Sequence, residues 1–225
     1  MRRYLPLTVL CVLLTVAAQA APDPMEILAK ATTLHRGIRD YTATVAVDTD
    51  IPGVDMPHRE ARVYVKPPDK TYIESSGLVA IPKRALLFGD IAKEVKDDAR
   101  VVLAGTKTVG GQPLHCLKIV PKKPVAPEDQ PRVMLWINGA RWTVEKVHIL
   151  RGQDLIAGVT FAYQKVQGFW MPTKVSCTIP RGVAGSDKPG HMSLSFSGYK
   201  INTGLTDEFF EKKNRSSSHG RPRSR

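Results

Sequence analysis

Hydrophobic and polar residues alternate along much of the second half of the chain, from Arg132 to Asn202. Successive side chains of a β-strand point to opposite faces, so each alternating run places its apolar residues on one side of a sheet. An apolar sheet face has to be covered by another sheet, by helices or by a ligand. The apolar members of these runs are Val133, Leu135, Ile137, Val147, Ile149, Val159, Phe161, Tyr163, Met171, Val175, Cys177, Ile179, Met192, Leu194 and Phe196.

The pattern before this region predicts one helix followed by three strands. Asp23, Pro24 and Glu26 form a helix start, with a capping acid, a proline in the first turn and an acid early in the helix. Apolar residues then recur at helical spacing at Ile27, Ala31, Leu34 and Ile38. Alternating residues predict strands over 41–49 and 59–66 and through 72–73, with Val45, Val47, Val63 and Val65 among their apolar positions. Strands paired in chain order form an antiparallel meander.

A second, weaker helix is predicted after Pro82, with Leu86, Leu87 and Ile91 on its apolar side. Two interpretations stay open for this segment: a mobile lid over a groove, or a connecting helix that fills the core. A hairpin follows it. Its strands cover residues 101–108 and 114–120, include Leu117 and Ile119, and turn at Gly110 and Gly111.

Two predicted helices are few for so much apolar sheet. If they do not fill the concave side, an apolar groove remains, and such grooves bind hydrophobic ligands. The predicted groove wall consists of Val45, Val47, Val63, Val65, Leu117, Ile119, Leu135, Ile137, Val147, Ile149, Val159, Phe161, Val175, Leu194 and Phe196, with Leu86, Leu87 and Ile91 on the lid.

The two ends of the chain are expected to lie outside the folded domain. Residues 1–20 resemble a secretory signal peptide, with a basic start, an apolar run and small residues up to Ala20, where cleavage is expected. Residues 21–213 are then expected to form a single domain of a soluble, exported protein. Residues 214–225 are rich in Ser, Gly and Arg, and we expect them to form a disordered basic tail.

The charge balance is basic but largely terminal. The formal net charge is +12, and it falls to +6 without the signal peptide and the basic tail. Two interpretations of the remaining charge stay open: peripheral contact with anionic membrane surfaces, or a solvated surface. Export and the absence of interleaved aromatic residues in the tail argue against nucleic acid as a partner.

The sequence lacks the motifs of the common hydrolases, metalloproteases and phosphate-binding loops, and it predicts a non-enzyme without cofactor or metal. The six histidines are scattered, and none pairs with another ligand residue at metal-binding spacing. Cys116 and Cys177 remain after signal cleavage. Export favours a disulfide between them, whereas the strand pattern argues weakly against it, because Cys177 shares a face with Val175 and Ile179 and Cys116 shares one with Lys118; both a disulfide and two free thiols stay open.

Three segments resemble bacterial outer-membrane lipoprotein carriers of the LolA type, a group that also includes LolB- and RseB-like proteins. Residues 62–69 (RVYVKPPD) resemble the family's strand-and-turn segment, and residues 110–122 (GGQPLHCLKIVPK) resemble a later strand. Residues 199–210 (YKINTGLTDEFF) resemble its closing strand and short helical turn. The three segments occur in the family's order and extend over nearly all the mature chain.

The resemblance implies a mainly β (α+β) fold, an incomplete and strongly curved antiparallel β-barrel with helices over its open concave face. It implies a monomeric periplasmic carrier that holds acyl chains of lipoproteins or lipids and moves them between an inner-membrane donor and an outer-membrane acceptor. The alternative is a lipid- or lipoprotein-responsive sensor that binds a partner protein. Carriers of this type often have an arginine after the lysine of the first segment, where it latches the lid; here Pro67 follows Lys66.

Overall fold

The computed structural model describes residues 21–54, 56–77, 79, 81, 86, 98–123, 126 and 128–219. The described residues form ten strands, two α-helices and a short 3-10 helix. The helices are α1 (Pro24–Thr32) and α2 (Asp207–His219), and the 3-10 helix is Val183–Gly185. The strands are β1 (Tyr41–Asp50), β2 (Arg59–Lys66), β3 (Lys70–Ser75), β4 (Ala99–Val109), β5 (Gln112–Pro121), β6 (Pro131–Asn138), β7 (Val144–Arg151), β8 (Asp154–Val166), β9 (Phe169–Ile179) and β10 (Gly190–Ile201).

The ten strands make one antiparallel sheet in the order β3-β2-β1-β10-β9-β8-β7-β6-β5-β4. Strands β1 to β3 pair in chain order, and so do strands β4 to β10. The two series are joined by the pairing of β1 with β10. The terminal strands of the sheet, β3 and β4, do not pair with each other, so the sheet is not closed into a barrel. The predicted incomplete antiparallel barrel and its initial meander are therefore confirmed.

Several bulges interrupt the ladder and bend the sheet. The register shifts in the β1–β10, β4–β5, β6–β7, β7–β8 and β8–β9 pairs. Each extra residue bends its strand and increases the local twist. At the predicted β4–β5 turn, Gly110 and Gly111 have φ values of +56° and +75°, a backbone that other residues rarely adopt.

Helix α1 begins where the sequence predicts and ends earlier. The Asp23 side chain accepts a hydrogen bond of 3.0 Å from the backbone N–H of Met25, and Pro24 is the first helical residue. The helix ends at Thr32, so the predicted continuation through Leu34 and Ile38 is wrong. The hydroxyl of Thr32 donates to the Ala29 carbonyl, a local bond that competes with helix continuation, and a turn follows over residues 33–37.

Helix α2 corrects the prediction of a tail that is disordered from Asn214. Residues 214–219 continue the helix, whereas residues 220–225 lie outside the described residues. Acidic residues Asp207 and Glu208 occupy the first turn, where they complement the helix dipole. Phe210 is buried, and Glu211 pairs with Arg215 at 3.7 Å one turn later. The short helical turn that the third family-like segment predicts is therefore the first part of a longer helix.

Candidate functional site

The register of the sheet places the fifteen predicted wall residues on one face, the concave face. For example, Leu117 lies opposite Leu135, which lies opposite Val147, and Val147 lies opposite Val159. On the same face, in the neighbouring strands β9, β10 and β1, Val175 lies opposite Leu194, which lies opposite Val47. The structure thus brings these residues together, while their role as a ligand wall stays a prediction.

Protein side chains fill two parts of the concave face. The first apolar cluster lies on β1, β2, β9 and β10 and includes Ile81 and Leu86. The second lies on β5 and β6 and includes Ile27, Leu28 and Ala31 of α1, a helix that packs against β4 and β5. Eleven predicted wall residues are buried in these clusters, namely Val45, Val47, Val63, Val65, Leu117, Ile119, Leu135, Ile137, Val175, Leu194 and Phe196. These residues form the core of the domain, so substitution there destabilises the fold.

The remaining four wall residues lie on β7 and β8, between the two clusters, and we call them the β7–β8 stretch. Val147, Val159 and Phe161 are half-buried, and Ile149 is 40% exposed. Along the same rows the apolar face continues to Val133 on one side and to the half-buried Cys177 on the other. The β7–β8 stretch is therefore apolar surface on the concave side that the fold leaves partly exposed.

Helix α1 and the turn after it close one end of this face. The Nε2 atom of His35 lies 2.9 Å from the Trp170 carbonyl oxygen at the start of β9, and Lys30 Nζ lies 4.7 Å above the Trp142 ring. Burial lowers the pKa of His35 to about 4, although its bond to Trp170 opposes the shift. Ile149 lies near the opposite end of β7, away from the turn that carries Trp142. The exposed part of the concave face is therefore at the end that α1 does not cover.

One of the predicted lid residues lies within the described part of the chain. Leu86 is fully buried in the first cluster, and its carbonyl accepts a hydrogen bond of 2.6 Å from the Tyr41 hydroxyl. Burial raises the pKa of Tyr41, so the hydroxyl keeps its proton. Leu87 and Ile91 lie outside the described residues, as do residues 1–20 of the expected signal peptide. The two interpretations of this segment, lid and core plug, both stay predictions.

Lys66, at the position of the family's latch segment, contacts the C-terminal helix. Its Nζ and that of Lys70 each lie 2.6 Å from an oxygen of Asp207, the first residue of α2. These two lysines hold the pKa of Asp207 down to about 2. Phe209 packs beside Tyr64 and Tyr72, with ring centroids 5.0 and 6.3 Å apart. Lys66 thus helps to dock α2 against the β2–β3 edge of the sheet.

Sequence reasoning missed the corner that joins β10 to α2. The Asp40 carboxylate is buried and accepts hydrogen bonds from the Thr203 backbone N–H at 2.7 Å, the Thr203 hydroxyl at 2.8 Å and the Gly204 N–H at 3.0 Å. Asn202, at φ +56°, accepts from the backbone N–H of Arg39 and donates to the Gly37 carbonyl. The polar run NTG in the third family-like segment was the available signal for this corner.

Other chemistry is limited within the described residues. Cys116 and Cys177 are free thiols on β5 and β9. Among the residues described, no three His, Cys, Asp or Glu side chains come together as a metal site. None of the helices in that part of the chain has the length and apolar character needed to cross a membrane.

The open antiparallel sheet and its concave apolar face define a LolA-like half-barrel, as the sequence resemblance implied. A LolA superfamily protein from Nitrosomonas europaea superposes with a TM-score of 0.53 at 15% identity, over 84% of this chain and 98% of that one. A putative outer membrane lipoprotein-sorting protein domain from Vibrio parahaemolyticus gives 0.59 at 14% identity, over 85% and 97%. A DUF1329 family protein from Desulfovibrio piger gives 0.57 at 15% identity, over 86% and 99%.

A family model described as "Uncharacterized protein" matches residues 83–215, which is more than half of the chain. The chain belongs to that family. No curated protein matches the sequence.

Proposed function

We propose that the protein is an exported, periplasmic carrier that binds acyl chains of lipoproteins or lipids on its concave face and moves them between envelope membranes. The observation that carries this proposal is the β7–β8 stretch, where apolar residues of the concave face stay partly exposed between two filled clusters. Exposed apolar surface lined by a preformed sheet is typical of a binding site for hydrophobic ligands.

The energetics of such a site favour acyl chains. Burial of each methylene group contributes about 0.8 kcal/mol, so a chain lying along the β7–β8 stretch gains several kcal/mol without any polar contact. The four residues of the β7–β8 stretch, Val147, Ile149, Val159 and Phe161, are all apolar. This surface therefore favours the hydrocarbon part of a lipid over its headgroup. We propose binding and not catalysis as the role of this face.

The comparison with solved structures also supports the carrier proposal. The Vibrio protein is named as a putative outer membrane lipoprotein-sorting protein domain, and its fold matches this one over most of both chains. At 14% identity the match supports the architecture, and the ligand class of this chain rests on its own concave face. Donor and acceptor proteins in the two membranes are part of the proposal.

The test is purification without detergent, followed by native mass spectrometry and lipid extraction. A stoichiometric acylated ligand is the expected result. An apo mass with no uptake of added fatty acid or lipid would refute the carrier, and stable capture of one protein partner by that apo protein would favour the sensor alternative.

A matched pair of variants locates the ligand. Ile149→Asp places a charge on the exposed end of the β7–β8 stretch. We expect it to abolish ligand uptake while the fold persists, because this residue is already 40% exposed. Val109→Asp introduces the same charge at a residue that is 58% exposed at the end of β4. Val109→Asp should bind ligand like the parent protein; equal loss in both variants would contradict the location.

A further inference from the structure

The convex face of the sheet is divided into two chemically different halves. On β1 and β8–β10 most outward positions are small and polar, apart from the separate lysines Lys174 and Lys200, and one row runs through Asp48, Ser193, Ser176 and Thr160. The same row continues to Lys146 and Trp136 on β7 and β6. The change from small polar to large basic and aromatic side chains therefore occurs between β8 and β7.

The outward side of β4–β7 combines cations with large apolar side chains, and we call it the basic–apolar patch. It consists of Arg100, Val102, Lys118, Met134, Trp136 and Lys146. The register alternates the two kinds of residue, since Val102 lies opposite Lys118, Lys118 opposite Met134, and Trp136 opposite Lys146. Val102 is 42% exposed.

The patch has a strong charge asymmetry. Strands β4–β7 contain six lysines and arginines and a single acid, Glu145. Glu145 does not face the patch cations: it is the bulged residue of β7 and bonds to Arg141 and Thr143, each at 2.7 Å. Within the described residues, no carboxylate lies in ion-pair distance of Arg100, Lys118 or Lys146.

The aromatic residue of the patch lies among these cations. Lys146 Nζ lies 5.1 Å from the centroid of the Trp136 ring, and the His148 ring meets it edge-on at 4.8 Å. A tryptophan with lysines beside it is the combination that proteins place at the headgroup level of a bilayer, where the ring is half apolar and half polar.

We propose that the basic–apolar patch docks the protein onto the surface of an anionic lipid bilayer. Cations attract anionic headgroups, while Val102, Met134 and Trp136 enter the apolar boundary beneath them. The cations lie on β4, β5 and β7, and neighbouring strands are about 4.8 Å apart, so charge and apolar surface extend together over roughly 15 Å. A bilayer presents both over such an area, whereas an acidic polypeptide presents chiefly charge.

Docking on this face is separate from the carrier proposal. The patch and the concave face are opposite sides of the same strands, so a protein resting on a membrane through the patch keeps the β7–β8 stretch free. The proposal therefore holds whether or not the concave face carries an acyl chain.

The first test is co-sedimentation with vesicles of phosphatidylglycerol and phosphatidylcholine in equal parts, compared with pure phosphatidylcholine. We expect binding to the anionic vesicles, weakened by salt. Each basic side chain near such a surface strengthens binding about fivefold, so Arg100→Gln/Lys118→Gln should weaken it about 25-fold. The matched control, Lys174→Gln/Lys200→Gln, removes the same charge from exposed positions on the other half of the convex face and should change binding less than about twofold.

A second measurement reports the apolar contact. Vesicles with brominated acyl chains should quench tryptophan fluorescence, and Trp136→Phe should remove that quenching while Trp142 and Trp170 remain. Equal loss of vesicle binding in the two double variants would refute the patch, because net charge alone would explain it. The proposal would also be overturned if the protein did not bind anionic vesicles. Binding to polyglutamate without binding to these vesicles would indicate an acidic polypeptide as the partner. Ile149→Asp should bind vesicles like the parent, which separates this result from failure of the carrier proposal.

Discussion

The Asp40 corner offers a sharp test of how the two ends of the domain are held together. Asp40 precedes β1, and its three hydrogen-bond donors belong to Thr203 and Gly204, directly after β10. Asp40 as a whole residue is 3% exposed. The substitution Asp40→Ala removes the acceptor and leaves two backbone N–H groups and one hydroxyl without it.

The expected cost follows from these contacts. A hydrogen bond to a charged group contributes about 1.5–3 kcal/mol, but desolvation of the carboxylate offsets part of the sum. We expect Asp40→Ala to lower the free energy of unfolding by about 3–4 kcal/mol. Asp40→Asn keeps the oxygen that accepts both Thr203 bonds but places an amide N–H against the Gly204 N–H, so about 2 kcal/mol should be lost.

Urea unfolding followed by circular dichroism measures both values, and an unchanged m-value would show that the unfolded states are comparable. Asp48→Ala is the control, because that carboxylate bonds to His58 on the surface, where its side chain is 56% exposed. The control should lose less than about 1 kcal/mol. If Asp40→Ala lost no more than Asp48→Ala, the corner would not contribute to stability as we argue.

Two further predictions concern ionisation and thiols. Burial lowers the pKa of His35 from its ordinary 6.5 to about 4 in the folded protein. As the pH falls from 6.5 to 4, the unfolded chain therefore binds a proton that the folded protein does not bind. The free energy of unfolding should fall over this range, by about 3 kcal/mol at pH 4. Unfolding free energies measured across this range should show a smaller slope for His35→Gln, and an unchanged slope would count against burial of a neutral ring. For Cys116 and Cys177, alkylation of the denatured protein without reductant should add two labels in the mass spectrum, whereas an unlabelled protein would reveal a disulfide that the structure does not contain.

The local pattern was sufficient to predict the strands and turns of this protein. Alternation between residues 132 and 202 set which side chains share a face, because the side-chain period of a strand is two. Asp23 and Pro24 predicted the start of α1, and the Gly110–Gly111 pair predicted the turn between β4 and β5. Both features depend on only one or two residues, because one side chain caps a helix and one or two glycines allow a left-handed turn. The fold class followed from these elements together with the family-like segments.

Local signals were weaker where a helix depends on distant contacts. Helix α2 was expected only as a short turn, yet it extends to His219 while Phe209 packs on Tyr64 and Tyr72 and Lys213 bonds to Glu74 at 3.1 Å. These partners are more than 130 residues away in the chain. Most of the stability of a short helix comes from such packing and not from its own propensity, so composition alone suggested disorder.

The sequence by itself determined that fifteen apolar residues would face one side of a sheet, and it could not say which of them would be covered. Tertiary structure decided that α1 packs against β4 and β5, that Leu86 enters the cluster on β1, β2, β9 and β10, and that Ile149 is left exposed between the two clusters. The physical reason is that periodicity assigns a side chain to a face through its immediate neighbours, whereas burial depends on which distant element packs against that face.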